Sequence, residues 1–559
     1  MRRLLVASAL ALSAAAVAVP AMAKEAAAVA PADAPPPRLV VAVSVDQFSA
    51  DLFAQYRQFY TQGLARLLQG AVFPSAFQSH AATETCPGHS TLLTGAHPSR
   101  NGIIANNWFN LSLPRADKRV YCAEDESDPA STSRDPVVSA VHLKVPTLGE
   151  LMKQANPASR NVAVSAKDRA VMMMGGNKID AAYWWKGASF TTLKGRTLSP
   201  AVEAQNAVIA KQLKAGFPAL PLPAWCGAAD RSIAVGKGAV GQGRFAMPKD
   251  APEKARGDMF RISPRMDAAT VDLANRLVDE MKLGQGAASD VLSVSLSATD
   301  YIGHGTGSEG AEMCIQMAQL DAALGKLLAH LDKRKIDYAV VLSADHGGLD
   351  LPERLEQQAL PRAVRVDDAL SPGPLAKAVF ARTGITVDKG PLLASDGGDV
   401  WVSPALAPDQ RAKVIDTVVQ IARAHPQVVA VFTAADLAAT PSPTGNPQDW
   451  TLKERARASF HPGRSGDLVI LLDRAITPIP EPIAGMYVAT HGSAFDYDRR
   501  VPLLFWRKGL TRFEQPAPVE TVDIAPTLAA LLRLKVADGQ FDGRCLDIDG
   551  GAGNTCAAK

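Results

Sequence analysis

The sequence predicts an α/β fold in which a doubly wound, mostly parallel sheet is flanked by helices. Short and almost wholly apolar runs recur along the chain, and helical stretches lie between them. Strands that alternate with helices usually pair in parallel and are buried on both faces, so these runs are interpreted as core strands. Ligands of such sheets bind beyond the carboxyl ends of the strands. Three runs lead directly to an aspartate, at Asp46, Asp300 and Asp345, which predicts a functional site at that edge.

The first core strand begins at Leu39, and the later ones share its high content of Val, Leu and Ile. The predicted strands are LVVAVSVD (39–46), NVAVSA (161–166), VLSVSLSAT (291–299), YAVVLSA (338–344), DLVILL (467–472) and VPLLFW (501–506). Helices are predicted over 146–154, 266–283, 312–332 and 525–534. In the third helix, apolar residues recur at three- and four-residue steps from Met313 to Leu331, which indicates a face that packs on the core.

The chain has 559 residues. A single hydrophobic core usually supports a shorter chain, so we expect a large elaborated domain. That domain is predicted over 39–559, after an Ala- and Pro-rich linker at 24–38. Two stretches, near 107–262 and 349–485, are rich in Pro, Gly and Trp and contain few periodic elements. They are interpreted as insertions over the site, although the first also contains a core strand and a helix.

The bulk composition is that of an ordinary globular protein, with 47% hydrophobic and 21% charged residues. The net charge of +3 is small and evenly spread, which argues against a nucleic-acid partner. An anionic substrate would therefore have to be attracted by charges within the site itself.

Residues 1–23 have the three-part pattern of a secretory signal peptide. Arg2 and Arg3 precede an apolar, Ala-rich stretch that ends in Ala21-Met22-Ala23, a typical cleavage sequence. We expect export to a bacterial periplasm, cleavage near Ala23 and no stable membrane anchor afterwards. The alternative is an uncleaved membrane tether, but the apolar stretch falls short of the about 18–20 residues that span a bilayer.

Six cysteines in an exported chain make disulfides possible, although the spacing does not determine the pairing. Cys545 and Cys556 bracket a Gly-rich stretch near the C-terminus, and we expect a bridge there. A second expected pair is Cys122 with Cys226. We interpret Cys86 and Cys314 as free, because one follows a candidate nucleophile and the other lies on an apolar helical face.

Asp300 and His304 are four residues apart, so a helical turn or a tight loop would point both side chains the same way. With His491 they could form a site with two histidines, one carboxylate and an open position, as in catalytic zinc sites.

A second ion could be held by the adjacent pair Asp345 and His346, together with Asp46 and the hydroxyl of Thr85. Either group alone is weak evidence, since isolated Asp-His pairs are often structural. Their occurrence in this order, mostly after predicted strands, indicates two metal ions and phosphoryl transfer.

Thr85 lies in the sequence TETCPGH, where Pro87 suits the first position of a helix. Thr85 would then lie just outside a helix N-terminus, where free N–H groups favour a phosphate. A metal ion at the hydroxyl favours its alkoxide, so Thr85 is the candidate nucleophile. The alternative interpretation is that Thr85 is only a helix N-cap.

This ordered set of motifs resembles the alkaline phosphatase superfamily. Within it, the chain is most similar to bacterial periplasmic alkaline phosphatases of the phosphodiesterase/nucleotide pyrophosphatase-like branch, which use threonine. The resemblance spans nearly the whole mature chain and implies the alkaline phosphatase-like fold. The motifs that carry it are Asp46, the TCPGH sequence from Thr85 to His89, Asp300 with His304, Asp345 with His346, and His491.

The resemblance implies a zinc-dependent phosphomonoesterase with a phosphothreonine intermediate on Thr85. It implies one zinc ion bound by Asp300, His304 and His491, and a second by Asp46, Asp345, His346 and Thr85. It also implies that Asn106, or Asn107 if the match slips by one residue, contacts the phosphoryl group together with Lys167 and Arg169. The implied substrates are small-molecule phosphate esters, and a monomer is favoured.

Lys167 and Arg169 favour a monoester, because its extra charged oxygen needs cationic donors. The alternative for these two residues is that they are solvated surface charges. A phosphodiesterase on the same two ions stays open, as does a periplasmic zinc- or phosphate-binding protein without turnover.

Sulfatases are disfavoured because Pro87 directly follows Cys86 and no Arg stands at the fifth position. The membrane domain of phosphoethanolamine transferases has no counterpart in the sequence. Cofactor-independent phosphoglycerate mutases use serine in the cytosol, which conflicts with the signal sequence.

Overall fold

The structure is a computed structural model, and it describes residues 35–387, 390–394 and 398–556. The signal-peptide prediction for 1–23 and most of the predicted linker lie outside these residues. The strands are, in chain order, β1 (Leu39–Val45), β2 (Ala71–Phe77), β3 (Asn107–Phe109), β4 (Arg119–Tyr121), β5 (Asn161–Ser165), β6 (Ala181–Lys186), β7 (Ser189–Thr191), β8 (Ile233–Val235), β9 (Gly238–Val240), β10 (Asp290–Leu296), β11 (Tyr338–Ser343), β12 (Val364–Arg365), β13 (Leu392–Ala394), β14 (Asp399–Val402), β15 (Val428–Thr433), β16 (Leu468–Leu472), β17 (Ile476–Thr477), β18 (Arg500–Arg507), β19 (Phe513–Glu514) and β20 (Val519–Glu520).

The α-helices connect these strands and cover the main sheet. They are, in chain order, α1 (Ala50–Tyr56), α2 (Gly63–Leu67), α3 (Thr85–Thr94), α4 (Pro98–Asn101), α5 (Leu148–Ala155), α6 (Asp168–Gly175), α7 (Pro200–Ala215), α8 (Glu253–Arg261), α9 (Pro264–Met281), α10 (Ala298–Thr306), α11 (Ala311–Lys333), α12 (Pro352–Gln357), α13 (Pro372–Thr383), α14 (Pro408–Arg423), α15 (Ala434–Ala438), α16 (Leu452–Ser459), α17 (Asp496–Arg499) and α18 (Ile524–Leu531). Within the described residues, none of them is apolar over a length that could cross a membrane.

The main sheet has the strand order β19-β2-β18-β11-β1-β10-β5-β6-β7, with β20 also beside β2. Its central strand β1 is buried along its whole length and pairs in parallel with β10 and β11. In this register Val45 lies opposite Leu296, and Ser44 lies opposite both Ser295 and Ser343. The carboxyl ends of the three strands therefore lie side by side, and the prediction of a mostly parallel α/β sheet is confirmed.

Two predicted core strands differ from the prediction in their pairing. Residues 467–472 contribute β16 to a separate antiparallel sheet of order β13-β14-β16-β15, and β18 lies antiparallel between β11 and β2. An apolar run indicates burial, but it does not indicate which sheet the strand joins or in which direction it runs.

Strands β2 and β6 of the main sheet were missed. Pro74 interrupts the pattern of β2, and a register shift between Val501 and Leu503 of the neighbouring strand lies opposite it. The sequence of β6, AAYWWK, contains no Val, Leu or Ile residue, whereas every predicted strand contains at least two.

The predicted helices agree with the structure to within a few residues. They correspond to α5, α9, α11 and α18. Along α11 the residues from Met313 to Leu331 that form the apolar face are buried, as their spacing predicted. Helix boundaries shift because caps such as Thr147, which closes a capping box on α5, determine where a helix begins.

Three disulfides occur in the described residues, and only one was predicted correctly. The expected bridge Cys545–Cys556 is confirmed, whereas the pairing of Cys122 with Cys226 is wrong. Cys86 and Cys314 are bonded and not free. A buried position on a helix suits a free thiol and a bridge equally, and the sequence does not show which loop lies beside it. The bridges are Cys86–Cys122, Cys226–Cys314 and Cys545–Cys556.

A histidine beyond the end of α3 ties that helix to the C-terminal segment. Nε2 of His97 lies 3.0 Å from Glu520 Oε1, and Nδ1 lies 3.5 Å from Asp542 Oδ2. Burial opposes protonation of the ring, but hydrogen bonds to these two carboxylates raise the pKa of His97 to about 9. The protonated ring therefore stabilises the folded chain.

We predict that the stability difference between the wild type and the His97→Gln variant depends on pH. Because the folded pKa is raised, the contribution of His97 is fully present below its unfolded value of about 6.5 and is lost as pH rises through about 9. The difference should reach at most about 3 kcal/mol at pH 6 and shrink by pH 10. Urea unfolding at both pH values measures it, and a difference that stays constant with pH contradicts the assignment.

Candidate active site

Three buried carboxylates meet at the carboxyl edge of the main sheet. Asp46 directly follows β1, Asp300 lies in the first turn of α10 beyond β10, and Asp345 lies two residues beyond β11. Their exposed fractions are 0%, 2% and 0%. The parallel register brings them together, because adjacent strands that end level place the following residues at one edge.

The imidazoles of His304 and His491 both approach one carboxylate oxygen of Asp300. Nε2 of His304 lies 3.3 Å from Asp300 Oδ1, and Nε2 of His491 lies 3.4 Å from the same atom. On the other side of each ring, Nδ1 lies 2.9 Å from the Ala489 carbonyl for His304 and 2.7 Å from the Thr83 carbonyl for His491. These carbonyls orient both rings so that Nε2 faces the carboxylate.

Asp46, Asp345 and His346 form a second group beside the first. Nε2 of His346 lies 3.5 Å from Asp46 Oδ1 and 3.4 Å from Asp345 Oδ2. Its Nδ1 lies 2.9 Å from the Gly347 carbonyl. The ring of His346 stacks on that of His491, with 3.5 Å between the centroids, so the two groups of donor residues are in direct contact.

Thr85 is the first residue of α3, whose N-cap is Glu84. The sequence predicted Thr85 just outside the helix with Pro87 first, so the helix begins two residues earlier than expected, and Thr85 is not the N-cap. Gly88 allows the close approach of α3 to the sheet, since a Cβ there would lie 1.9 Å from the Asp345 carbonyl oxygen. The absence of a side chain at Gly88 thus lets the Thr85 turn pack against the aspartate edge.

Lys167 and Arg169 approach Thr85 from the loop between β5 and α6 and from the first turn of α6. Lys167 Nζ and Arg169 Nη2 each lie 3.4 Å from Thr85 Oγ1. Lys167 Nζ also lies 2.5 Å from Asp300 Oδ2 and 2.6 Å from Asp46 Oδ2. Lys167 is buried, so it is not a solvated surface charge, and its ammonium group bridges the two carboxylate groups.

Asn106 contacts the same helix turn. Its Oδ1 accepts a 2.9 Å hydrogen bond from the Cys86 amide, and its backbone carbonyl accepts one of 3.0 Å from the Cys122 amide. The Cys86–Cys122 bridge joins the same two segments. Asn107 instead begins β3 and pairs with Tyr121. Asn106, and not Asn107, therefore contacts the first turn of α3.

The charges in the site depend strongly on one another. Burial raises the pKa of Asp46 well above its ordinary value, and the carboxylates of Asp300 and Asp345 raise it further. Burial also opposes ionisation of Asp300, but the Lys167 ammonium holds the pKa of that carboxyl well below its ordinary value. Burial lowers the pKa of His346 to about 3, so its imidazole is neutral and has a lone pair available for a metal ion.

The donor atoms fit divalent metal ions. Asp46 Oδ1 and His346 Nε2 are buried, and no hydrogen-bond partner among the described residues satisfies either atom. Buried polar atoms of this kind are costly unless another group pairs with them. Oxygen and imidazole donors suit zinc and similar ions. Two sets of donor atoms lie within 4.8 Å of one another, from Asp300, His346 and His491 and from Asp46, Asp345 and His346.

Sequence reasoning gave no individual role to His89 or Glu84. Nδ1 of His89 lies 3.0 Å from Asp345 Oδ2, and its Nε2 lies 2.9 Å from Ser295 Oγ. Glu84 Oε2 accepts a 2.6 Å hydrogen bond from the Asn106 amide. Both residues orient a predicted site residue, and their place in the TETCPGH sequence was the available signal.

Comparison with known proteins agrees with this geometry. The sequence profile of the type I phosphodiesterase/nucleotide pyrophosphatase family matches residues 40–494. The chain is 53% identical over 532 residues to the alkaline phosphatase PhoK of a Sphingomonas species, and 94% of each chain is covered. It is 48% identical over 531 residues to the alkaline phosphatase PhoD of Zymomonas mobilis, with 93% of this chain and 90% of the other covered.

The fold also matches a solved structure. The crystal structure of the alkaline phosphatase PafA superposes with a TM-score of 0.78 at 24% identity, and the match covers 92% of this chain and 99% of that one. At this identity the likeness shows the shared fold.

We predict that the Cys86–Cys122 bridge holds the first turn of α3 in place. A Cys86→Ala/Cys122→Ala variant should lose about 4 kcal/mol of unfolding free energy and show faster hydrogen exchange at the first turn of α3. The bridge closes a 36-residue separation, whereas Cys545–Cys556 closes one of 11.

Cys545→Ala/Cys556→Ala is the matched control. It should lose about 3 kcal/mol and leave exchange in α3 unchanged. Exchange in α3 that does not differ between the two variants would show that the bridge does not position this turn.

Proposed function

The chain belongs to the type I phosphodiesterase/nucleotide pyrophosphatase family, and we propose that it is a secreted, zinc-dependent alkaline phosphatase that hydrolyses phosphate monoesters. The observation that carries this proposal is the position of two cationic side chains at one hydroxyl. Lys167 Nζ and Arg169 Nη2 each lie 3.4 Å from Thr85 Oγ1. Two relatives that are 48% and 53% identical are named alkaline phosphatases, which supports the same activity.

The donor sets would hold two zinc ions, one at Asp300, His304 and His491 and the other at Asp46, Asp345, His346 and Thr85. When bound, the ions would supply Lewis acidity and positive charge for a nucleophile, a leaving oxygen and water at this edge of the sheet. Backbone carbonyls that accept hydrogen bonds from the histidine Nδ1 atoms hold these donor rings in their orientation.

Thr85 acts as the nucleophile in the proposed reaction. Its Oγ1 attacks phosphorus while the hydroxyl proton passes to solvent, the bond from phosphorus to the alcohol oxygen breaks on the opposite side, and the alcohol leaves with a proton taken from solvent. Water then attacks the phosphothreonine and gives up a proton, the bond to Oγ1 breaks, Oγ1 regains a proton, and phosphate is released. The buried position of Thr85 at the start of α3 fixes the direction of attack.

Lys167, Arg169 and Asn106 would bind the oxygens that do not take part in bond breaking. A monoester carries one more charged oxygen than a diester, and Arg169 can donate two N–H groups to it. Burial opposes the charge of Arg169, but neighbouring Tyr121 and Tyr301 hold the pKa of Arg169 above its ordinary value, so it remains a cation. This arrangement favours monoesters.

A phosphodiesterase is the second candidate, because the matching family profile describes phosphodiesterases. The two candidates share the nucleophile and metal donors, and they differ in whether the cations at Thr85 are matched to a dianionic phosphoryl group.

Location and organisation are part of the same proposal. We propose a periplasmic chain with its signal peptide removed near Ala23, one catalytic domain over 39–559, and insertions near 107–262 and 349–485. Small-molecule phosphate esters are the proposed substrates. A monomer is part of the proposal.

We predict that the Thr85→Ala variant loses at least about a thousandfold of kcat while retaining its bound zinc, because the other donors remain. Acid-quenched wild-type enzyme should carry one phosphoryl group on the peptide that contains Thr85, and Thr85→Ser should retain part of the activity. Mass spectrometry and metal analysis measure these properties. Wild-type turnover in Thr85→Ala would rule out the covalent route.

We also predict that Arg169→Ala lowers kcat/KM for a monoester by about 10- to 100-fold and for the matched diester much less, because a charge-assisted hydrogen bond is lost. Lys167→Ala should act in the same direction, although it also leaves Asp46 and Asp300 without their ammonium partner.

Lys326→Ala is the control, since Lys326 is an exposed lysine of α11 that pairs with Asp272. It should change kcat/KM for neither the monoester nor the diester. Equal losses on the two substrates in Arg169→Ala would remove its role in recognising the charge of the monoester.

A further inference from the structure

Exposed apolar side chains cluster beside the candidate active site. Among the large apolar side chains that the structure describes as exposed, three occur within five residues: Ile483 at 56%, Met486 at 67% and Tyr487 at 44%. They belong to a reverse turn in which the Tyr487 amide donates to the Ile483 carbonyl at 2.8 Å and the Ile483 amide donates back at 2.9 Å. We call residues Ile483–Tyr487 the apolar turn.

The apolar turn is fixed to the helix that carries Asp300 and His304. The Gly485 amide donates to the Gly305 carbonyl at 3.0 Å, and the Val488 amide donates to the His304 carbonyl at 2.7 Å. The Tyr487 ring lies against the His304 imidazole, with 5.4 Å between the centroids. The turn therefore borders the site at its His304 side.

The geometry of in-line attack indicates which part of a substrate would lie at the apolar turn. The attacking and leaving oxygens of a phosphoryl transfer lie roughly in line, on opposite sides of phosphorus. Lys167 Nζ lies 3.4 Å from Thr85 Oγ1 and 2.5 Å from Asp300 Oδ2, so the Asp300, His304 and His491 group lies next to the ammonium that Thr85 contacts. The alcohol part of the substrate would leave on the His304 side, where the apolar turn begins.

We propose that the apolar turn is a leaving-group subsite that selects phosphate monoesters of apolar alcohols. This rests on the proposed phosphomonoesterase function. Apolar surface is costly to leave in water, and clustered exposed side chains next to a site commonly mark a binding surface. An alkyl or aryl group that covers Ile483, Met486 and Tyr487 would be removed from water together with them, whereas a short or charged alcohol would gain nothing there.

The test uses methyl, butyl and hexyl phosphate, since primary alkyl esters have similar intrinsic reactivity and differ mainly in apolar length. In the zinc-loaded wild-type enzyme, kcat/KM should rise with chain length by up to about fourfold for each methylene that contacts the turn. An Ile483→Ser/Met486→Ser/Tyr487→Ser variant should bring the ratio of hexyl to methyl phosphate close to one. Met486→Ser alone should reduce the ratio in part.

Phe380→Ser is the matched control, because Phe380 is 51% exposed on α13, outside the site. It should keep the wild-type ratio. A wild-type ratio near one, or an unchanged ratio in the triple variant, would overturn the proposal.

Two further outcomes are distinguishable. If the triple variant keeps its chain-length ratio but loses binding to phosphatidylcholine vesicles, the turn contacts a lipid surface, and the subsite proposal is wrong. If the wild type hydrolyses none of the three esters, the phosphomonoesterase function fails, and the subsite proposal fails with it. Hydrolysis of all three with equal efficiency leaves the function intact and rejects the subsite alone.

Discussion

The site depends on three carboxylates that are buried together at the end of one sheet. Asp46, Asp300 and Asp345 are almost completely removed from water, and such groups need nearby positive charge because an unpaired buried charge costs several kcal/mol. Lys167 supplies one positive charge between Asp46 and Asp300, and the imidazoles around the acids offer nitrogen donors to metal ions. The parallel register of β1, β10 and β11 creates this concentration of charge. Helix α3, the cations at Thr85 and the three histidine rings are all arranged around it.

The residues predicted from the sequence to form the site lie together in the structure. This was possible because each acid follows an apolar strand, and because four-residue spacing places Asp300 and His304 on one face of α10. Local patterns report such features well. The predicted helices also agreed, because an amphipathic spacing such as that of α11 directly reflects which face is buried.

Features that depend on distant contacts could not be read in the same way. The partner of Cys86 is Cys122, because the hairpin after Asn106 folds back over α3, and no local pattern indicates that return. Residues 467–472 are as apolar as a core strand, yet they pair in a separate antiparallel sheet. His89 and Glu84 gain their positioning contacts only when α3 packs against the sheet and the Asn106 loop.

In the proposed function, the cations at Thr85 are matched to a phosphate monoester, although the matching family profile describes phosphodiesterases. The most direct measurement is kcat/KM of the wild-type enzyme for a phosphate monoester and its matched diester, on one zinc-loaded preparation at alkaline pH. The proposed site should show a strong preference for the monoester. A preference for the diester would contradict it, since Lys167, Arg169 and Asn106 would then not be arranged for the additional charged oxygen.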